Sequence, residues 1–154
     1  MDVVLYGAGC IRLCLRPLSE FVFFYGTLMT PFNRPGRQRV NAAMTFVGHG
    51  RINAALFDLG IYPAAIPADD GSQVRGELYR MHDSTTVLRT LDDIEGYRAT
   101  EPEQSLYIRE IADVALADGR MQPAWVYFYN APLGRAPRIL SGDYLEHLKV
   151  KGRS

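Results

Sequence analysis

Phe21-Val22-Phe23-Phe24-Tyr25-Gly26-Thr27-Leu28 is the stretch on which the reading of this chain turns. It begins as an unbroken run of β-branched and aromatic side chains, the composition of a strand buried on both faces. The run breaks at Gly26, where the missing Cβ lets the chain turn and lets another group approach the main chain closely. Thr30, Pro31, Asn33, Pro35 and Gly36 then give the next segment the texture of a loop. A buried strand ending in a small-residue turn can leave backbone N–H groups aimed at one point, able to hold a carboxylate or a developing oxyanion. An ordinary turn is the simpler reading of Gly26-Thr27 taken alone.

The bulk numbers narrow what surrounds this strand. A length of 154 residues suits one domain with a full core. Residues 1–20 read as an extension, 21–150 as the domain and 151–154 as a polar tail. Seventeen basic and seventeen acidic residues cancel, so net charge gives no argument for nucleic acid or an anionic membrane as partner. No stretch approaches the ~20 apolar residues of a membrane span, and residues 2–15 lack the basic start of a signal peptide. A cytoplasmic protein is therefore expected, as a monomer or homodimer. The only cysteines, Cys10 and Cys14, sit too close together to staple the fold. His49, His82 and His147 show no metal-binding spacing and no partnered nucleophile, so no metal site is expected.

Taken in order, residues 30–43 are expected as a solvated polar loop carrying Asn33, Arg34, Arg37 and Arg39. Met44–Gly48 and Arg51–Phe57 read as strands, with Gly48 and Gly50 marking a bend or bulge. Pro63 and Pro67 restrict the next segment to an edge. Val74–Met81 alternates as a strand and contains Gly76, a position of close backbone approach. Ser84 is placed as the cap of a helix running to about Glu95, which Gly96 ends. A hairpin follows: Ser105–Ala117, the Asp118-Gly119 turn, then Pro123–Asn130. Ser141 is placed as the cap of a last short helix, from about Asp143 to Leu148. Short strands interrupted by two short helices point to an α+β fold around a curled mixed sheet or barrel.

Within the first of those helices Leu88, Leu91 and Glu95 are spaced i, i+3 and i+7 and share one face, whereas Arg89, Asp92 and Asp93 share another that can be solvated. Glu95 is thus the acid turned toward the apolar side, where a carboxylate is costly unless paired or protonated. It also occupies the last helical turn, where the dipole is negative. Burial and dipole both favour its neutral form and move it toward the range useful for proton transfer near neutral pH. A glutamate that snorkels out, or bonds a core Arg or Tyr, fits the same pattern. Tyr25, Tyr107 and Tyr129 lie in strands and can face a cavity or simply pack.

These pieces, in this order, resemble the gamma-glutamylcyclotransferase-like family: Phe24-Tyr25-Gly26-Thr27-Leu28; Leu56-Phe57-Asp58-Leu59-Gly60 with Tyr62-Pro63-Ala64; Val74-x-Gly76-Glu77-Leu78-Tyr79; Leu91-Asp92-x-x-Glu95-Gly96-Tyr97; Tyr107-x-Arg109; Trp125-Val126-Tyr127; and Ser141-Gly142-Asp143-Tyr144. The resemblance covers roughly Val22 to Leu148. It implies a small mixed β-barrel with short surrounding helices, and no metal or organic cofactor. It implies a transferase or lyase chemistry in which a γ-glutamyl amide, as in glutathione metabolism, cyclises to 5-oxoproline and releases its amine. On this resemblance Glu95 is the catalytic acid/base, and Tyr25, Gly26, Thr27, Leu28 and Tyr107 bind the small γ-glutamyl substrate, with Tyr107 bonding Glu95 or the substrate. A non-catalytic ligand-binding protein with the same barrel is the alternative. One departure from some family members is Gly134-Arg135-Ala136-Pro137-Arg138, which lacks a Tyr before the last helix. Arg135 and Arg138 offer charges there for an acidic substrate tail.

Overall fold

The computed structural model describes residues 19–152. Cys10, Cys14 and all but the last two residues of the expected extension lie outside the described residues, as do Arg153 and Ser154. Six strands form one sheet: β1 (Phe21–Phe24), β2 (Met44–Asp58), β3 (Pro63–Pro67), β4 (Gln73–Met81), β5 (Tyr107–Leu116) and β6 (Met121–Tyr129). Their order is β3-β2-β4-β1-β6-β5, and β2 also pairs with β5 through Gly50 opposite Leu116 and Arg51 opposite Ala115. That last pairing closes five strands into a barrel. The proline-bounded β3 lies at the outer edge of β2, as its missing N–H groups require.

β1 is wedged between β4, to which it runs antiparallel, and β6, to which it runs parallel. Val22, Phe23 and Phe24 are buried, which accounts for a strand apolar on both faces. Gly76 is the close approach expected of it: a Cβ there would lie 2.2 Å from the Phe24 carbonyl oxygen. β2 is one continuous strand rather than two. A register shift against β4 between Phe46 and Gly48 absorbs the bend, because an extra residue adds local twist without ending the pairing.

The segment after the turn differs from the expected loop. Thr30–Phe32 and Asn41–Ala43 are single 3₁₀ turns, and α1 (Pro35–Gln38) is one turn of helix. Pro31 and Pro35 start these turns instead of preventing them, since proline suits a first helical turn whose N–H groups are unpaired anyway. Arg37, expected in solvent, is buried here. α2 spans Ser84–Glu95 and α3 spans Tyr144–Lys151. Both are capped by aspartate rather than by the expected serine: Asp83 accepts the Thr86 N–H at 3.3 Å and Asp143 accepts the Glu146 N–H at 3.1 Å. Aspartate and serine compete for the same role, and the residue left in extended conformation takes it.

The C-terminal helix is pinned to the end of β2. Asp58 accepts hydrogen bonds from the Gly60 N–H at 2.7 Å and from Lys151 Nζ at 2.8 Å, and lies 2.8 Å from His147 Nε2. Burial raises the pKa of this carboxyl, but the bonds from Lys151, His147 and Gly60 outweigh it and hold the group down at about 2. No helix among the described residues is long and apolar enough to cross a membrane.

Candidate active site

A cavity of about 190 Å³ opens where β1 ends, lined by Phe23 to Leu28 together with Tyr62, Pro63, Ile94, Glu95, Leu106, Tyr107 and Tyr127. Its size is below the roughly 300–1,000 Å³ of drug-sized ligand pockets and suits a group about as large as one amino acid. The turn leaving β1 is held by a bond from the Met29 N–H to the Gly26 carbonyl at 3.0 Å. Gly26 is required by packing: a Cβ on it would sit 2.8 Å from Pro63 Cγ. Among the described residues, no acceptor meets the N–H groups of Gly26, Thr27 or Leu28.

Glu95 enters the cavity from the last residue of α2. Val87, Leu88 and Leu91 bury the apolar face of this helix, and Gly96, at φ 72°, ends it in a left-handed cap. The expected sharing of one face by Leu88, Leu91 and Glu95 is what the helix shows. No side chain among the described residues bonds or pairs with the Glu95 carboxyl, and burial pushes it up to about 7. A carboxyl with that pKa exists in both protonation states near neutral pH, as a proton carrier must.

Tyrosines make up much of the remaining wall. The Tyr25 hydroxyl donates to the Tyr127 carbonyl at 2.6 Å. The Tyr107 hydroxyl donates to the Pro63 carbonyl at 2.9 Å, so of the two partners expected for it, Glu95 or the substrate, Glu95 is not bonded. Burial pushes both phenols up, with the nearby Glu95 charge adding to it, so both stay protonated donors. Tyr129 does not line the cavity; its ring packs edge-on against Tyr107 at 5.4 Å. Arg135 and Arg138 are not in the lining either. The Arg138 guanidinium lies 5.9 Å from the centre of the Phe57 ring and donates to Ser72.

The residue that sequence reading misplaced is Asp92. Instead of facing solvent it takes a two-pronged bond from Arg109, Nε at 2.7 Å and the second nitrogen at 3.1 Å, and accepts the Tyr127 hydroxyl at 2.6 Å. Arg109 in turn stacks over Trp125 at 4.4 Å. One turn before Glu95, this lock ties α2 to β5 and β6. The signal was present in the i, i+3 spacing of Asp92 and Glu95, which puts the two acids on adjoining parts of the helix surface. Its partners lie on strands far along the chain.

The described residues hold no group of three or more His, Cys, Asp or Glu able to bind a metal. A small closed barrel with a strand-end turn and one unpaired carboxyl in the same hollow defines a class of small-molecule enzyme rather than a docking module. The model of the family described as gamma-glutamyl cyclotransferase, AIG2-like, matches residues 22–146, and the chain belongs to that family. It is similar to the gamma-glutamylcyclotransferase family protein YtfP of Escherichia coli, 29% identical over 129 residues that span 83% of this chain and 98% of that protein. The solution structure of YtfP aligns with a TM-score of 0.58 over 82% of this chain and 97% of that one, at 29% identity. The crystal structure of an AIG2-like protein from Mus musculus aligns with a TM-score of 0.58 over 78% and 85% of the two chains, at 25% identity. The chain is thus an enzyme of the gamma-glutamylcyclotransferase-like type.

Proposed function

We propose that this protein cyclises a γ-glutamyl amide to 5-oxoproline with release of the amine, and that Glu95 carries the protons. The observation behind this reading is one unpaired carboxyl, pushed up to about 7 by burial, in the same cavity as the Tyr25–Leu28 turn. The substrate's α-ammonium gives a proton to the Glu95 carboxylate. The freed amine attacks its own γ-carbonyl carbon, forming a five-membered ring and a tetrahedral intermediate with an oxyanion. Glu95 returns the proton to the amide nitrogen, the C–N bond breaks and the carbonyl re-forms; the ring nitrogen gives up its second proton through the same carboxylate to the departing amine, which leaves as an ammonium. The ring closure is intramolecular, so holding the glutamyl group bent supplies much of the acceleration. Gly26, Thr27 and Leu28 offer main-chain N–H groups to the substrate, while Tyr25 and Tyr107 shape the wall around it.

Glu95→Gln keeps size and loses the proton relay. It is expected to fold and to lose at least ~100-fold in rate, the scale of acid–base assistance. Release of 5-oxoproline is followed on γ-glutamyl amino acids, γ-glutamyl-lysine, γ-glutamyl-polyamines and glutathione. Undiminished turnover by the variant refutes the assignment. The same panel identifies the amine.

A further inference from the structure

A cavity of about 190 Å³ takes the glutamyl half of a γ-glutamyl amide and leaves the amine at its mouth. The lining residues that keep contact with solvent mark that mouth: Gly26, Thr27, Tyr62, Ile94, Glu95 and Leu106. Its larger apolar side chains come from three places, Tyr62 just before β3, Ile94 on α2 and Leu106 just before β5. Leu106 is 39% exposed and lies beside the helix end that carries Glu95, since a Cβ on Gly96 would be 4.0 Å from the Leu106 Cβ. Ile94 is held against α1, where a Cβ on Gly36 would sit 3.3 Å from its Cδ1. The Tyr62 ring rests near that of Tyr107, centre to centre at 6.2 Å. Among the described residues that line the cavity, Glu95 is the one acidic or basic side chain.

That lining decides which amines are welcome. The departing nitrogen takes its proton from Glu95, so its substituent starts beside Glu95 and runs out over Leu106 and Ile94. An alkyl or aryl group gains by covering them. An ammonium or a carboxylate on the same substituent loses part of its hydration and meets no counter-charge. We infer that Leu106 and Ile94 are specificity-determining residues that select an amine bearing no charge of its own, so that the substrate is a γ-glutamyl amide of an apolar alkyl or aryl amine rather than of an amino acid or a polyamine. This inference rests on the proposed reaction, which puts the amine at the mouth.

The test compares three amides built on one carbon chain: γ-glutamyl-pentylamide; γ-glutamyl-5-aminopentylamide, which adds an ammonium at the far end; and γ-glutamyl-norleucine, which adds a carboxylate beside the nitrogen. For release of 5-oxoproline by the full chain, kcat/KM is expected to favour the pentylamide about tenfold over each charged amide, a moderate ratio because the mouth is open to water. Leu106→Asp is expected to reverse the order of the pentylamide and the aminopentylamide, and Leu106→Ala to narrow the gap without reversing it. Each ratio is taken within one protein, so a general loss of rate cancels, and circular dichroism confirms that each variant is folded. Titration calorimetry on Glu95→Gln, which is expected to leave the amides intact, reads the same preference in binding. Equal treatment of the three amides by the wild type, in rate or, where nothing turns over, in binding to Glu95→Gln, overturns the inference, as does a preference that Leu106→Asp leaves in place. A preference in binding without turnover by the wild type defeats the proposed reaction alone. Turnover without a preference defeats the selectivity alone.

Discussion

Replacing Glu95 by glutamine is expected to make the protein more stable above neutral pH while it destroys the activity. Burial lifts this carboxyl from 4.5 to about 7. At about 1.36 kcal/mol for each tenfold in proton affinity, ionising it in place costs the fold roughly 3 kcal/mol. Glu95 keeps some contact with solvent at the cavity mouth, so that figure is an upper bound. The sign follows from proton counting. Between pH 4.5 and 7 the folded state holds more protons than the unfolded state, so wild-type stability falls as pH rises through that window. Below pH 4.5 the two proteins are expected to be equally stable. At pH 8 the glutamine variant is expected to lead by up to roughly 3 kcal/mol, or about 6–12 °C in Tm for a chain of this size. Urea unfolding of both proteins, followed through the single tryptophan, Trp125, gives the difference at each pH. A difference that does not change with pH, or a glutamine variant that is weaker at pH 8, refutes the claim that burial governs this carboxyl. On the proposed reaction, keeping this acid destabilised trades stability for rate.

Asp92→Asn removes the charge that Arg109 and Tyr127 share, and is expected to cost about 2–3 kcal/mol in urea unfolding, the scale of hydrogen bonds to a charged group; no loss of stability would show that the lock is not needed to hold α2. The lock also fixes the approach of Glu95, so kcat is expected to fall with KM little changed. Asp58→Asn is expected to cost roughly 2 kcal/mol at pH 7, where the carboxylate is ionised and bonded. Because the carboxyl of the folded state titrates at about 2, that advantage is present above about pH 4 and disappears as the pH falls toward 2; a stability gap that survives at pH 2 would contradict it.

How much of this could be read from the chain depends on how far apart the cooperating residues are. The Phe21–Tyr25 strand, the Gly96 helix end and the Asp118-Gly119 hairpin are settled by neighbours in sequence, and each was legible. Glu95 was legible because helical spacing alone places it beside Leu88 and Leu91. Arg37 was not: the groups it meets, Phe24 and Leu28 in one stretch and Tyr79 in another far along the chain, are brought to it by the fold, and a lone arginine among prolines and polar residues looks solvated. Asp92 was misplaced for the same reason, since Arg109 and Tyr127 reach it across the barrel. The joining of β2 to β5 that closes the barrel leaves no local mark; the barrel was legible from the resemblance of the ordered motifs and from the many short strands, not from any residue of that joint. The cap residues were off by one or two positions because Asp and Ser share the same capping chemistry.

The position of β1 fixes when, as well as where, the hollow beside Glu95 comes into being. Val22 stands opposite Tyr79 on one side and Trp125 on the other, so the strand cannot be seated by anything near it in the chain. Long loops must close first, and that entropy is spent before the contacts repay it. A growing polypeptide therefore cannot assemble this hollow until β6 has been made. The turn that leaves β1 matures among the last parts of the molecule, although it is among the first of the fold to be synthesised.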